Sequence, residues 1–289
     1  MNKTLCRSIT IVLLIAIIII MGSYLLTWIL LKPEKEVHPI VKGPEIFSSD
    51  GSILKAVQDA NRGSHKWVIL IHGYRSDHSM MNEFARVYRE KGYNTLQPDN
   101  RAHGSSGGES IGMGYYEAAD ILEWVGYITE LDSDAEIVLH GISMGGAGLM
   151  ILSDNNQLPE NVKVIIEDSG YSSAMDYVRI KLKKTTGLRL TIIPELMSWF
   201  TEKKAGYSLK EASSLEHVVN SRVPIFFIHG EKDSTVPVEN AYSLYEAAGC
   251  TKELYICEDA GHGESAYTDS EGYWNKVFSF IDENAKPTR

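Results

Sequence analysis

A serine with glycine two residues away on either side, Gly141-Ile142-Ser143-Met144-Gly145, follows the apolar run Ile137, Val138, Leu139. Helix-forming Ala147, Leu149, Met150 and Leu152 come directly after it. That order predicts a strand, a tight turn and a helix, with Ser143 held in a strained backbone conformation that lifts its hydroxyl above the sheet edge. Gly141 and Gly145 are needed because side chains there would collide with the neighbouring strand and helix. Ser143 is therefore the candidate nucleophile. The chain holds a second match, Gly104-Ser105-Ser106-Gly107-Gly108, but polar residues precede it and the glycine-broken stretch 109–114 follows. With no strand entering and no helix leaving, Ser106 reads as an accident of composition.

A serine hydroxyl is a poor nucleophile at neutral pH, so it needs a base, and the base needs an orienting carboxylate. In open α/β sheets the reactive groups gather beyond the carboxyl ends of strands, which filters the nine histidines. His262 lies in a glycine-flanked loop just after the last strand and is the expected base. His140 precedes the turn and is expected to point away, while His72 and His229 end strands beside a glycine, where shaping the backbone is the plainer account. Asp233 follows the strand 225–228 and is the expected acid; Asp168, at another strand end, is the runner-up, with loop tethering as its alternative role. The order Ser143, Asp233, His262 is that of α/β-hydrolases and differs from chymotrypsin-like and subtilisin-like chains. Two backbone N–H groups would face a developing oxyanion, those of Met144 at a helix start and of Tyr74 after His72-Gly73.

The elements that must position these groups are legible in order. Residues 45–47 and 53–57 flank a Ser-Asp-Gly-Ser turn and predict an antiparallel pair. Strands are expected at 67–71, 94–97, 137–139, 162–167, 225–228 and 254–257, and helices at about 79–90, 115–130, 238–248 and 273–283. Residues 171–219 break the alternation and read as an insertion of two or three short helices. Strands and helices in this order imply a mostly parallel sheet covered on both faces.

Residues 9–31 contain no charge and are long enough to cross a bilayer with some tilt. Lys3 and Arg7 precede this run, Tyr24 and Trp28 sit near its far end, and no small-x-small cleavage site comes before Lys32. An uncleaved single transmembrane anchor over residues 1–32 is expected, then a tether over 33–44, and a catalytic domain over 45–289 on the extracytoplasmic side.

The net charge of −10 and the lack of a Lys/Arg cluster argue against a nucleic-acid partner. Three cysteines make no disulfide framework, since Cys250 and Cys257 bracket a strand that holds them about 20 Å apart. No cofactor or metal is expected, because ligand spacing of Cys and His is missing and the carboxylates are scattered.

Taken together, His72-Gly73-Tyr74, Asp99-x-Arg101-x-His103-Gly104, Gly141-x-Ser143-Met144-Gly145-Gly146-Ala147, His229-Gly230-x-x-Asp233-x-x-Val236-Pro237 and Gly261-His262 resemble the α/β-hydrolase superfamily over residues 45–285. More narrowly the set is similar to its serine-aminopeptidase and monoglyceride-lipase-like branch, in particular to membrane-anchored bacterial members with a short helical lid. Ala102 departs from the pattern, since the family usually has glycine between the arginine and the histidine. The resemblance implies an α/β-hydrolase fold and a serine hydrolase acting on a small acyl ester, most simply a carboxylesterase working through an acyl-enzyme. Amide cleavage in short peptides is the alternative. A noncatalytic binding module that keeps the fold would be expected to have lost a member of the Ser143, Asp233, His262 set, and all three are present.

Overall fold

The computed structural model describes residues 3–35, 38–40 and 42–285. Three residues of the expected tether, Glu36, Val37 and Val41, lie outside that set, as do residues 286–289.

The chain begins with α1 (Lys3–Leu31) and β1 (Glu34–Lys35), followed by β2 (Glu45–Phe47), β3 (Ile53–Asp59) and β4 (Lys66–Ile71). A 3-10 turn, His78–Met81, leads into α2 (Asn82–Glu90), then β5 (Asn94–Pro98), β6 (His103–Gly104) and α3 (Tyr115–Leu131). The turn-bearing unit β7 (Glu136–Ile142) and α4 (Met144–Leu152) precedes β8 (Val162–Asp168). Three helices then interrupt the alternation: α5 (Ala174–Thr186), α6 (Ile192–Ala205) and α7 (Ser214–Val218). The sheet resumes with β9 (Ile225–Gly230), α8 (Glu239–Ala247) and β10 (Lys252–Cys257), and the chain ends in α9 (Ser265–Thr268) and α10 (Ser270–Asn284).

Eight strands form one sheet in the order β10-β9-β8-β7-β4-β5-β3-β2, parallel from β10 to β5 and antiparallel at the β3 and β2 edge. The register sets the site. Ile71 pairs with Gly141, Ile142 with Asp168, Asp168 with Ile228, and Gly230 with Cys257, so the carboxyl ends of β4, β7, β8, β9 and β10 form one rim.

Period-two alternation explains why both faces are covered. On β4, Trp67, Ile69 and Ile71 point into one core with Trp124 of α3, Leu149 of α4 and Leu244 of α8. Val68 and Leu70 point the other way, into a second core with Phe84 and Tyr88 of α2 and Tyr273 and Phe280 of α10. A third cluster sits above the rim and joins Met144, Tyr171, Met175, Met197 and Tyr207 to Leu30 and Leu31 at the end of α1.

That last contact changes the reading of the N-terminal segment. Residues 7–21 of α1 are largely exposed, but Ser23, Thr27, Leu30 and Leu31 are buried against α6 and the rim. Thr27 Oγ1 reaches the Met197 carbonyl at 3.4 Å, Tyr24 packs edge-on to Phe200 with ring centres 5.3 Å apart, and Ile111 N–H donates to the Leu31 carbonyl at 3.1 Å. Glu34 and Lys35, within the expected tether, pair with His103 and Gly104. Cys250 and Cys257 are free thiols.

Candidate active site

The turn between β7 and α4 places Ser143 at φ 56° and ψ −115°, outside the regions a non-glycine residue ordinarily occupies. It cannot relax, because the strand and helix on either side are in contact: a Cβ on Gly141 would lie 2.6 Å from the carbonyl carbon of Gly145. The Ser143 N–H donates to the Asp168 carbonyl at 2.8 Å and its carbonyl accepts from Ala147 N–H at 2.9 Å, which ties the turn to β8 and starts the helix.

Three expected residues meet here. His262 Nε2 is 2.9 Å from Ser143 Oγ, and His262 Nδ1 is 2.7 Å from Asp233 Oδ2. Asp233 is held by its own loop, its Oδ1 accepting the N–H groups of Thr235 at 2.7 Å and Val236 at 2.9 Å. Burial would raise its carboxyl, but hydrogen bonds from His229 and His262 outweigh that and keep it well below the usual carboxylate range. A line of hydroxyl, imidazole and ionised carboxylate can move the serine proton to the imidazole and stabilise the imidazolium that results.

Asp168 stands beside this line and not in it. Its Oδ1 accepts from Ser169 Oγ at 2.8 Å and its Oδ2 from Tyr273 Oη at 3.1 Å, while burial pushes its carboxyl up. Ser169 Oγ in turn accepts the Gly263 N–H at 3.0 Å, so the pair ties down the loop that carries His262. Tethering is thus the role the geometry gives it.

The other histidines separate in the same way. His140 lies on the far face between Tyr88 Oη and Tyr273 Oη, each at 3.0 Å, and burial lowers it to about 3. His72 accepts the Asn100 N–H at Nε2, 2.9 Å, and its Nδ1 donates to the Gly73 carbonyl at 2.8 Å. His103 Nε2 accepts the Arg75 N–H at 3.1 Å, and burial brings it to about 3. Together they hold the loop 72–75, which passes so close to the elbow that a Cβ on Gly73 would be 3.3 Å from Ser143 Cβ. Tyr74 lies immediately beyond that contact, and Met144, wholly buried, opens α4 directly after Ser143. Ser106 is buried, donates to the Asp99 carbonyl at 2.7 Å and accepts from Lys55 N–H at 2.9 Å, which is a loop-building role.

His229 is the residue whose part the sequence hides. Its Nε2 is 2.8 Å from the Val236 carbonyl and 3.2 Å from Asp233 Oδ2, so it is a second imidazole on the acid. The signal available was the four-residue spacing of His229 and Asp233. Ala102 takes φ 58°, a conformation that costs glycine least, with its methyl buried in the cluster above the rim. Among the described residues no group of three or more His, Cys, Asp or Glu is arranged to hold a metal ion.

The fold is that of an α/β-hydrolase. The family model that matches covers residues 78–288, and the chain belongs to the prolyl oligopeptidase family. Among curated relatives, the uncharacterized protein YqkD of Bacillus subtilis is 25% identical over 82% of this chain and 78% of its own length. A carboxylesterase of the same organism is 24% identical over 77% of this chain and 94% of its own. Among solved structures, the esterase Pf2001 of Pyrococcus furiosus superposes with a TM-score of 0.70 at 23% identity, covering 89% of this chain and 99% of that one. Residue motifs alone pointed to the serine-aminopeptidase and monoglyceride-lipase-like branch, and both descriptions fall within the same superfamily.

Proposed function

We propose that this chain is a membrane-anchored serine hydrolase that cleaves carboxylic esters, with Ser143 as nucleophile, His262 as general base and acid, and Asp233 as orienting carboxylate. The observation that carries the reading is the unbroken line from Ser143 Oγ through His262 to Asp233 at 2.9 and 2.7 Å. Ser143 Oγ attacks the ester carbonyl and its proton passes to His262 Nε2. The N–H groups of Met144 and Tyr74 receive the oxyanion. The carbon–oxygen bond to the alcohol breaks, the alcohol leaves with the proton from His262, and a water attacks the acyl-enzyme by the same route in reverse.

The carboxylesterase and esterase relatives support an ester as substrate. The description of the matching family names an oligopeptidase, which favours a second reading, cleavage of short peptides by the same residues. Residues 1–32 serve as a single-pass anchor, since Arg7–Leu31 is long and apolar enough to cross a membrane. Residues 33–44 connect it to a hydrolase domain over 45–289 on the extracytoplasmic face, and residues 171–219 act as the lid. Protease treatment of intact cells checks the sidedness.

The deciding experiment uses a fluorophosphonate probe together with p-nitrophenyl esters and aminoacyl-anilides. Labelling and ester turnover in wild type and Ser106→Ala, both lost in Ser143→Ala, are expected. Turnover of anilides alone would move the assignment to a peptidase, and labelling that survives Ser143→Ala would remove the nucleophile.

A further inference from the structure

A cavity of about 460 Å³, within the range of small-molecule sites, lies between the end of α1 and the helices α5 and α6. Leu26, Ile29 and Leu30 of α1 form one wall, Tyr177 and Leu182 of α5 the opposite one, and Tyr74 the inner end. Tyr74 donates from Oη to the Leu30 carbonyl at 2.9 Å and follows Gly73, which abuts Ser143. The cavity is thus bounded by Tyr74, one residue from the glycine that abuts Ser143.

Its depth relative to a bilayer follows from where α1 starts to pack. Only the fourteen uncharged residues 9–22 lie between Ser8 and Ser23, the first buried residue of the helix among those whose side chains are described. At 1.5 Å per residue they span about 21 Å, against a hydrocarbon core of about 30 Å. A helix that crosses with that segment must bring residues 23–31, and the cavity they wall, down to the level of the lipid. The lid suits such a position. Leu188, Ile192 and Trp199 are exposed on it. Residues 174–205 carry seven Lys and Arg against three Asp and Glu in a chain whose net charge is −10. Exposed apolar groups among basic ones match an anionic lipid surface.

We infer that the last turns of α1 are a wall of the substrate site, and that the cavity takes an acyl chain of an anionic membrane lipid directly from the bilayer. This rests on the serine-esterase reading above. It makes the N-terminal helix part of the specificity machinery in addition to its role as anchor.

The test uses the full-length chain in nanodiscs of phosphatidylcholine and phosphatidylglycerol. Ile29→Trp fills the cavity, and loss of two or more buried methylenes of a bound chain predicts that the kcat/KM ratio of p-nitrophenyl dodecanoate to acetate falls about tenfold or more. Ile15→Trp, on the exposed part of α1, leaves that ratio at its wild-type value. An unchanged ratio in Ile29→Trp that still labels with the fluorophosphonate overturns the inference. Photo-crosslinking of Ser143→Ala protein by phosphatidylglycerol with a diazirine in its acyl chain reads the cavity without catalysis. Crosslinks to both residues 26–30 and 177–182 are expected, and crosslinks confined to residues 9–21 overturn it. Wild type that hydrolyses none of the esters removes the esterase reading itself, a result the crosslinks tell apart from an empty cavity.

Discussion

His229 Nε2 stands 3.2 Å from Asp233 Oδ2, the same oxygen that faces His262 Nδ1 at 2.7 Å, so one carboxylate oxygen serves two imidazoles. Both help to keep Asp233 ionised against the burial that would neutralise it. A carboxyl depressed in the folded state contributes stability that is complete above the unfolded value of about 3.9 and is lost as pH falls toward the folded one. His229→Phe removes one donor, so Asp233 protonates at higher pH and the stability lost in acid is lost earlier. At neutral pH kcat/KM falls about tenfold, equivalent to about 1.4 kcal/mol. His229→Gln, which keeps a donor, recovers most of it. Identical stability–pH curves for wild type and His229→Phe would refute this positioning role.

The backbone at Ser143 predicts a conflict between stability and activity. At φ 56° and ψ −115° any side chain is strained, and only glycine adopts the angles freely. Ser143→Gly is expected to be more stable than Ser143→Ala by about 1–2 kcal/mol, with neither active. Thermal unfolding of the two variants in the same detergent measures the difference, and equal midpoints would show that the elbow stores no strain.

Arg101 and Asp120 are a buried pair, with Nε to Oδ2 and the terminal nitrogen to Oδ1 both at 2.6 Å. Arg101 also reaches Asp50 at 2.8 Å and lies over the Tyr116 ring. Arg101→Met strands the Asp120 carboxylate in the interior and is expected to cost about 3–5 kcal/mol. Adding Asp120→Leu should return a large part of that loss. Strict additivity of the two single changes in chemical denaturation would count against coupling.

Burial raises the Glu167 carboxyl to about 8, with one oxygen accepting the Gly170 N–H at 3.0 Å. The sign is opposite to that at Asp233. Folded Glu167 keeps its proton where the unfolded chain has lost it, so stability declines as pH rises from about 4.5 to about 8, on the order of a few kcal/mol. Glu167→Gln removes the titration and flattens that decline. If wild type and variant show parallel stability–pH curves over this window, the carboxyl is ionised in the fold.

Local chemistry carried much of the fold. The alternation of short apolar runs with amphipathic segments marks β4, β7 to β10 and most of the covering helices, because burial on both faces of a parallel strand imposes a continuous apolar run. Boundaries shifted where caps decide them: Asp77 accepts the Ser79 N–H and opens a 3-10 turn before α2, and Asp269 caps α10 three residues ahead of the expected start.

By itself the sequence offered Ser143, His262 and two candidate acids, Asp233 ahead of Asp168, together with the glycines that permit the elbow, since these are demands of bond geometry and reaction chemistry within a few residues. Only the tertiary structure decided between the two acids. Strand register sets Asp168 beneath the elbow, bonded to Ser169 and Tyr273, and lets the longer loop after β9 swing Asp233 to His262. It likewise decided that α1, whose pattern over residues 9–31 reads as a membrane-crossing helix, packs Ser23, Thr27, Leu30 and Leu31 onto the protein. Those choices depend on contacts with residues 29 to 170 positions away, and local periodicity carries no record of them.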